Sequence, residues 1–222
     1  MSLLSRLKTI FVGMQSTGSG PTETKLSIPE VKNPVVQKAQ KDQRSIRLAG
    51  QTTDIEPGIE CDELQGSASQ IAALPDDLIV HARLALSNCK KLTDLPESLS
   101  VPSVNLSGCT ALERLPSKMN VTFLNLSGCP AINTLPEGLR ISGGILNLSG
   151  CTGLKTLPDN MGEVAGLNLN GCPNIKTLPA GLKVSSWMDI TGTGITEIPE
   201  AYALVGFRRG NDVVSAEEAL AG

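Results

Sequence analysis

The sequence predicts an α/β solenoid. Short coils stack in a curve, each giving one parallel strand to a concave face and returning through an extended or 3-10 stretch on the convex side, with few helices. Three observations carry this. The string NLSGC occurs at 105–109, 125–129 and 147–151, and NLNGC follows at 168–172, so one motif returns every 20 to 22 residues. Aligned on the cysteine of that motif, the columns that would face a core are all aliphatic. Aromatic residues make up only 2% of the chain, too few for an ordinary core built around large rings. Leucine, glycine, serine and proline take their place, as repetition of one small motif requires.

The register is set by Cys89, Cys109, Cys129, Cys151 and Cys172, with Thr193 at the sixth place. Five residues before each lie Leu84, Val104, Leu124, Leu146, Leu167 and Met188; three before lie Leu86, Leu106, Leu126, Leu148, Leu169 and Ile190. This L-x-L alternation makes a short strand with one aliphatic face. Three after the cysteines come Leu92, Leu112, Ile132, Leu154 and Ile175, and six after come Leu95, Leu115, Leu135, Leu157 and Leu178, each followed by proline. A coil this short cannot close a core alone, but coils stacked in parallel bury a continuous aliphatic column. The pattern L-x-L-x-x-C-x-x-L-x-x-L-P resembles the leucine-rich repeat with cysteine at its polar position. That resemblance implies a leucine-rich-repeat solenoid of about six to seven coils over residues 61–205.

Taken in order, residues 1–60 read as a flexible segment. MQSTGSGPTET is rich in small polar residues, and the stretch from Lys32 to Arg47 carries five cations on a candidate amphipathic helix through Val35, Val36, Ala39 and Ile46. No signal peptide is expected, because Arg6 and Lys8 interrupt the first apolar stretch and no small-residue cleavage site follows. Leu74, Pro75, Leu78 and Val80 open the array in register, after a degenerate capping strand. Gly108, Gly128, Gly150, Gly171 and Gly192 follow the strands, where a sharp turn needs positive φ; Asn88 takes that place in the first full coil. The prolines at 75, 96, 116, 136, 158, 179 and 199 belong outside the sheet, where a missing N–H is harmless. The last coil, DITGTGITEIP, is one residue shorter between Thr193 and Pro199 and puts a polar residue in the cysteine place. Residues 206–222 form a C-terminal cap whose short helix starts at a capping box, Ser215 with Glu218.

Little in the chain points to catalysis. Phosphate loops, H-E-x-x-H zinc motifs and G-x-S-x-G elbows are missing, so no catalytic residue, metal or cofactor is expected. A formal net charge of −3 argues against a dedicated nucleic-acid or anionic-membrane binder. No apolar run reaches the ~18 residues that span a bilayer. The cysteines admit two readings, a thiol ladder for metal or redox work and a buried plug. Rungs about 4.8 Å apart with parallel Cβ vectors disfavour both disulfides and shared zinc, and no C-x-x-C pair exists. The favoured reading is a small buried hydrophobe whose S–H reaches a turn carbonyl. Cys61, outside the ladder, is the one thiol left as a candidate for reactivity. The Asn-Leu-Ser sequons are a by-product of the repeat.

A partner would meet the odd strand positions on the concave face. Asn105, Asn125, Asn147, Asn168 and Asp189 form one row, and serines with Asn170 and Thr191 form the next. Two readings of the asparagines stay open: an amide ladder that stabilises the sheet, and ligand contact. Beside them run Arg83, Ser103, Phe123, Ile145, Gly166 and Trp187, which hold two of the three aromatics between residues 61 and 205. Aromatic and arginine anchors beside a neutral polar field suit protein binding. The expected site is therefore Arg83, Phe123, Ile145 and Trp187 with Asn105, Asn125, Asn147, Asn168 and Asp189, on a monomer that binds a protein and neither nucleic acid nor membrane.

The LNLSGCxxLxxLP module also resembles the repeats of plant nucleotide-binding immune receptors and of effectors that bacterial pathogens and symbionts inject by type III secretion. Coils of 20 to 22 residues with regular L-P, preceded by a Ser-rich segment, fit the bacterial group. The resemblance implies a non-catalytic virulence effector, made in the bacterial cytoplasm, that docks on a host protein. About twenty residues follow the last coil, so the ubiquitin-ligase domain of many such effectors is not carried over. The alternatives are the recognition half of such a ligase and a resident cytosolic repeat protein of bacteria.

Overall fold

The structure is a computed structural model that describes residues 35–36 and 45–221. Its centre is a ten-stranded sheet. In chain order the strands are β1 (Val35–Val36), β2 (Ser45–Arg47), β3 (Asp54–Ile55), β4 (Glu60–Gln65), β5 (Ile79–Ala85), β6 (Ser103–Asn105), β7 (Lys118–Asn125), β8 (Gly138–Asn147), β9 (Gly162–Asn168), β10 (Lys183–Asp189), β11 (Gly206–Arg209) and β12 (Asp212–Val214). The sheet runs β12-β11-β10-β9-β8-β7-β6-β5-β4-β2, with β1 and β3 pairing separately. From β2 to β11 every pairing is parallel. One strand per coil, each laid parallel on the last, makes this a solenoid. Helix among the described residues is confined to a 3-10 turn at Glu200–Tyr202 and to α1 (Ala216–Leu220). No helix among them is long and apolar enough to cross a membrane.

The aliphatic columns build it. Leu84, Val104, Leu124, Leu146, Leu167 and Met188 pair rung to rung and are fully buried, as are Leu86, Leu106, Leu126, Leu148 and Leu169. Each buried leucine contributes about 1.5–3 kcal/mol relative to exposure, so the stack is held by many equal increments. After each strand the chain turns at Gly108, Gly128, Gly150, Gly171 or Gly192, whose φ values lie between 68° and 72°, and at Asn88 with φ 57°. The prolines lie outside the strands; the carbonyls of Pro75, Pro96, Pro136 and Pro179 each accept the N–H three residues on, which closes a tight turn. Pro96, for example, accepts from Leu99 at 3.0 Å.

Coil length varies, and the sheet absorbs it at register shifts between β4 and β5, between β7 and β8 and between β9 and β10, the largest of them in β8. In β7 a single residue, Thr122, separates the paired positions Val121 and Phe123, whereas β8 has three, Ser142, Gly143 and Gly144, between Ile141 and Ile145. The two extra residues loop out through Gly143, at φ 70°, and both strands return to register.

The ends differ from the sequence expectation. The basic stretch expected to be helical holds strands at Val35–Val36 and Ser45–Arg47; Ala39 and the small-residue tail before it lie outside the described residues. In β2 Ile46 is buried between exposed Ser45 and Arg47, a period of two that pairs with β4. Among the described residues the stack therefore already includes Ser45–Arg47, ahead of the expected start at residue 61. At the other end β11 and β12 form an antiparallel hairpin, the first departure from parallel pairing. The capping box is formed: Ser215 Oγ accepts from Glu218 N–H at 3.2 Å, and Glu218 Oε2 accepts from Ser215 N–H at 2.8 Å. Tyr202, fully buried, ties the 3-10 turn to the preceding coil by donating its hydroxyl to the carbonyls of Pro179 and Leu182.

Candidate interaction face

The thiols are architecture. Cys89, Cys109, Cys129, Cys151 and Cys172 are completely buried and free. Cys109 Sγ donates to Leu86 O at 2.9 Å, Cys129 to Leu106 O at 3.2 Å, Cys151 to Leu126 O at 3.1 Å and Cys172 to Leu148 O at 3.0 Å. Each acceptor lies in the coil before, so the thiols bridge one coil to the next. Ser69 fills the corresponding place ahead of Cys89, with its Oγ 3.0 Å from Cys89 Sγ. Thr193 at the far end donates to Ile190 O in its own coil at 2.7 Å. Cys61 is equally inert: it is 3% exposed, and burial together with Asp62 raises its pKa. A buried thiol held protonated lacks the exposed thiolate that reactivity needs, which removes it as a candidate. Among the described residues no group of His, Cys, Asp or Glu is arranged to hold a metal ion.

The asparagine row answers the question left open by its pattern with a third role. Oδ1 of Asn105, Asn125, Asn147 and Asn168 accepts the N–H two residues on, at 2.9–3.1 Å. This Asx geometry satisfies the backbone N–H where the strand ends and the chain turns at glycine. The side chains serve their own coils rather than forming a ladder. They remain half-buried, so the amide NH2 ends still line the face. The next row is similarly wet. Ser107, Ser127, Ser149 and Asn170, with the turn glycines and Asn88, line an open groove of about 500 Å³.

Asp189 sits in the asparagine row but does not belong to the face. It is 3% exposed; Oδ1 accepts from Thr191 N–H at 3.0 Å and Oδ2 from Gly210 N–H at 3.1 Å. A carboxylate presents two acceptors where an amide presents one, so Asp189 serves its own turn and also holds the β11–β12 hairpin. Asp189→Asn places an NH2 against the Gly210 N–H and is expected to cost about 1–2 kcal/mol. The check is urea denaturation together with amide exchange, which should accelerate at Gly210 and leave the central coils unchanged.

The remaining expected residues share one column. Arg83, Ser103, Phe123, Ile145, Gly166 and Trp187 are successive Cα partners across β5 to β10. Arg83 is exposed, Phe123 and Trp187 are half-buried, and Ile145 is 37% exposed in a chain whose other aliphatics are mostly interior. Gly166 has a specific reason to be glycine. The Trp187 indole lies over it, so a Cβ there would fall 2.4 Å from the ring. The Arg208 guanidinium lies 5.0 Å from the ring centroid, a cation–π contact. Trp187 is thus braced by its neighbours, and it continues the apolar line of Phe123 and Ile145 across the gap that Gly166 leaves. Arg208 escapes sequence reading because its place depends on the hairpin; the Gly166 gap beside a tryptophan is the one hint the column offers.

Comparison of the chain with protein-family models, with curated proteins and with solved structures finds no match.

Proposed function

We propose that this protein is a non-catalytic interaction module of the leucine-rich-repeat kind, which binds a protein partner on the concave strand face. The observation that carries the reading is the stripe Phe123, Ile145 and Trp187. These large apolar groups stand in register on solvent-facing strand positions, beside rows of amides and hydroxyls. They stand outside the fully buried aliphatic columns. Rigid aromatic anchors in a neutral polar field are the usual energetic centre of a protein interface. The resemblance of the repeat to those of bacterial type III effectors supports a host protein as the partner.

Affinity capture tests the binding reading, comparing wild type with Phe123→Ala/Trp187→Ala. Both are surface truncations, so the variant should keep its circular dichroism spectrum while a specific partner is lost by about tenfold to a hundredfold in affinity. Identical capture by both proteins would sink the stripe as the binding site. Delivery is tested separately by fusing residues 1–50 to a reporter in a secretion-competent strain; retention in the bacterium removes the effector role and leaves the binding reading intact.

A further inference from the structure

Charge is segregated in this molecule. The whole chain carries a formal net charge of −3. Yet, besides Arg209, which donates to the Glu218 carbonyl, the exposed and half-exposed charged side chains of β5 to β11 are Arg83, Lys118, Arg140, Lys183 and Arg208 against one exposed carboxylate, Glu163. The other carboxylate of these strands, Asp189, is buried and committed to two backbone N–H groups. The ion pairs of the described residues are His81 with Glu60 and Arg114 with Asp94, and none of the five cations takes part in one. Arg140 donates to three backbone carbonyls, of Glu137, Leu139 and Asn160, and Arg208 rests on an indole, so both keep their charge without a counter-ion. Glu63, in register with Arg83 on β4, accepts from Gln65 Nε2 and bounds the cationic stretch at that edge.

Arg83 and Arg208 stand at the two ends of the apolar stripe. They are separated by six rungs, roughly 29 Å at about 4.8 Å per rung. An extended chain covers that distance in about nine residues. Resting on the protein-binding reading above, we propose that the occupant of this face is an acidic polypeptide segment crossing the strands. Its central apolar side chains lie on Phe123, Ile145 and Trp187, and carboxylates near its two ends pair with Arg83 and Arg208. Lys118, Arg140 and Lys183 flank the path and steer the segment at a distance. A nucleic acid fits less well, because the middle of the path offers an aliphatic side chain and amides where a phosphate backbone needs cations.

The test is a selection of random peptides displayed on phage against the full chain. Enriched peptides are then titrated by isothermal calorimetry, a readout that also works in variants lacking Trp187, the single tryptophan of the protein. The expected pool is rich in Asp and Glu around aliphatic or aromatic residues. Its binding weakens with salt and falls about tenfold or more in Arg83→Glu/Arg208→Glu. Lys118→Glu/Lys183→Glu, which alters neither anchor, should slow association while leaving dissociation nearly unchanged. A neutral or basic pool that still requires Phe123 and Trp187 overturns the acidic class and leaves the face as a binding site. A pool indifferent to Phe123→Ala/Trp187→Ala, or none at all, overturns both. Tighter binding of a single-stranded oligothymidylate than of any peptide assigns the face to nucleic acid and overturns the proposal.

Discussion

Gly144→Ala is expected to destabilise the fold by about 3 kcal/mol or more, the largest cost of any single methyl group in the sheet. A Cβ built at Gly144 lies 1.5 Å from the carbonyl oxygen of Thr122 and 2.5 Å from its carbon. Both are backbone atoms of the neighbouring rung, so no rotamer change relieves the overlap. The chain would have to abandon the register of β7 on β8 or push the two coils apart, and either exposes the leucines between them. Gly143 is the control. It has φ 70°, but nothing lies within 4 Å of the place its Cβ would take, so Gly143→Ala should cost only the left-handed penalty of about 1–2 kcal/mol. Urea denaturation followed by Trp187 fluorescence separates the two. Equal, small losses would show that the looped insertion tolerates a side chain and that the register is set elsewhere.

The same pair of residues marks the limit of what the sequence reveals. The columns through Leu84 and Leu86 are legible because one short motif repeats them until chance is excluded, and each turn glycine follows from the geometry a strand-to-turn change needs. The extra length of the coil at Gly143–Gly144 is visible only as a spacing of 22 residues between Cys129 and Cys151. Where it is absorbed depends on which backbone atoms meet across a rung. The first coil is hidden for another reason. Ile46 and Leu48 alternate with polar residues over too few positions to outweigh the helical spacing of the same segment. The hairpin did leave a mark, since Gly210–Asn211 between Phe207 and Val214 is a turn pair flanked by apolar residues. The capping box a few residues later is the stronger local signal, and it speaks only for the helix.

The site divides along similar lines. That outward positions of the strands form a column follows from alternation alone. The role of each member does not. The asparagines satisfy local N–H groups, Asp189 holds a segment that returns twenty residues later, and Arg208 reaches Trp187 only because the hairpin places it there. A charge at one place of an otherwise uncharged row was the available signal for Asp189, and it points to a structural tie as readily as to a partner.

Alkaline pH should unfold this protein steeply, because its coils are bridged by thiols that resist ionisation. Burial pushes Cys129 up to about 11 and Cys151 up to about 12, from an ordinary value near 9, and raises Cys172 as well. Cys109 is raised by its hydrogen bond with Cys89 and by burial. In Cys89 hydrogen bonding outweighs burial and lowers the pKa, so this thiol has the opposite sign and adds nothing to the fall above pH 9. For the four raised groups the sign is definite. Above about pH 9 the unfolded chain has given up protons that the folded chain still holds, so stability is complete below that pH and falls as pH rises toward the folded values. A thiol contributes at most about 1.4 kcal/mol per pH unit between its unfolded and folded values, so Cys129 and Cys151 together approach about 3 kcal/mol per unit. The urea midpoint, read from Trp187 fluorescence, should therefore drop sharply between pH 9 and about 11. Cys129→Ala/Cys151→Ala should begin less stable at neutral pH, from the lost packing and bridging bonds, yet decline along a visibly shallower line. A wild-type midpoint that stays level across this range would mean that the thiols ionise in place, and the bridging role assigned to them would fall.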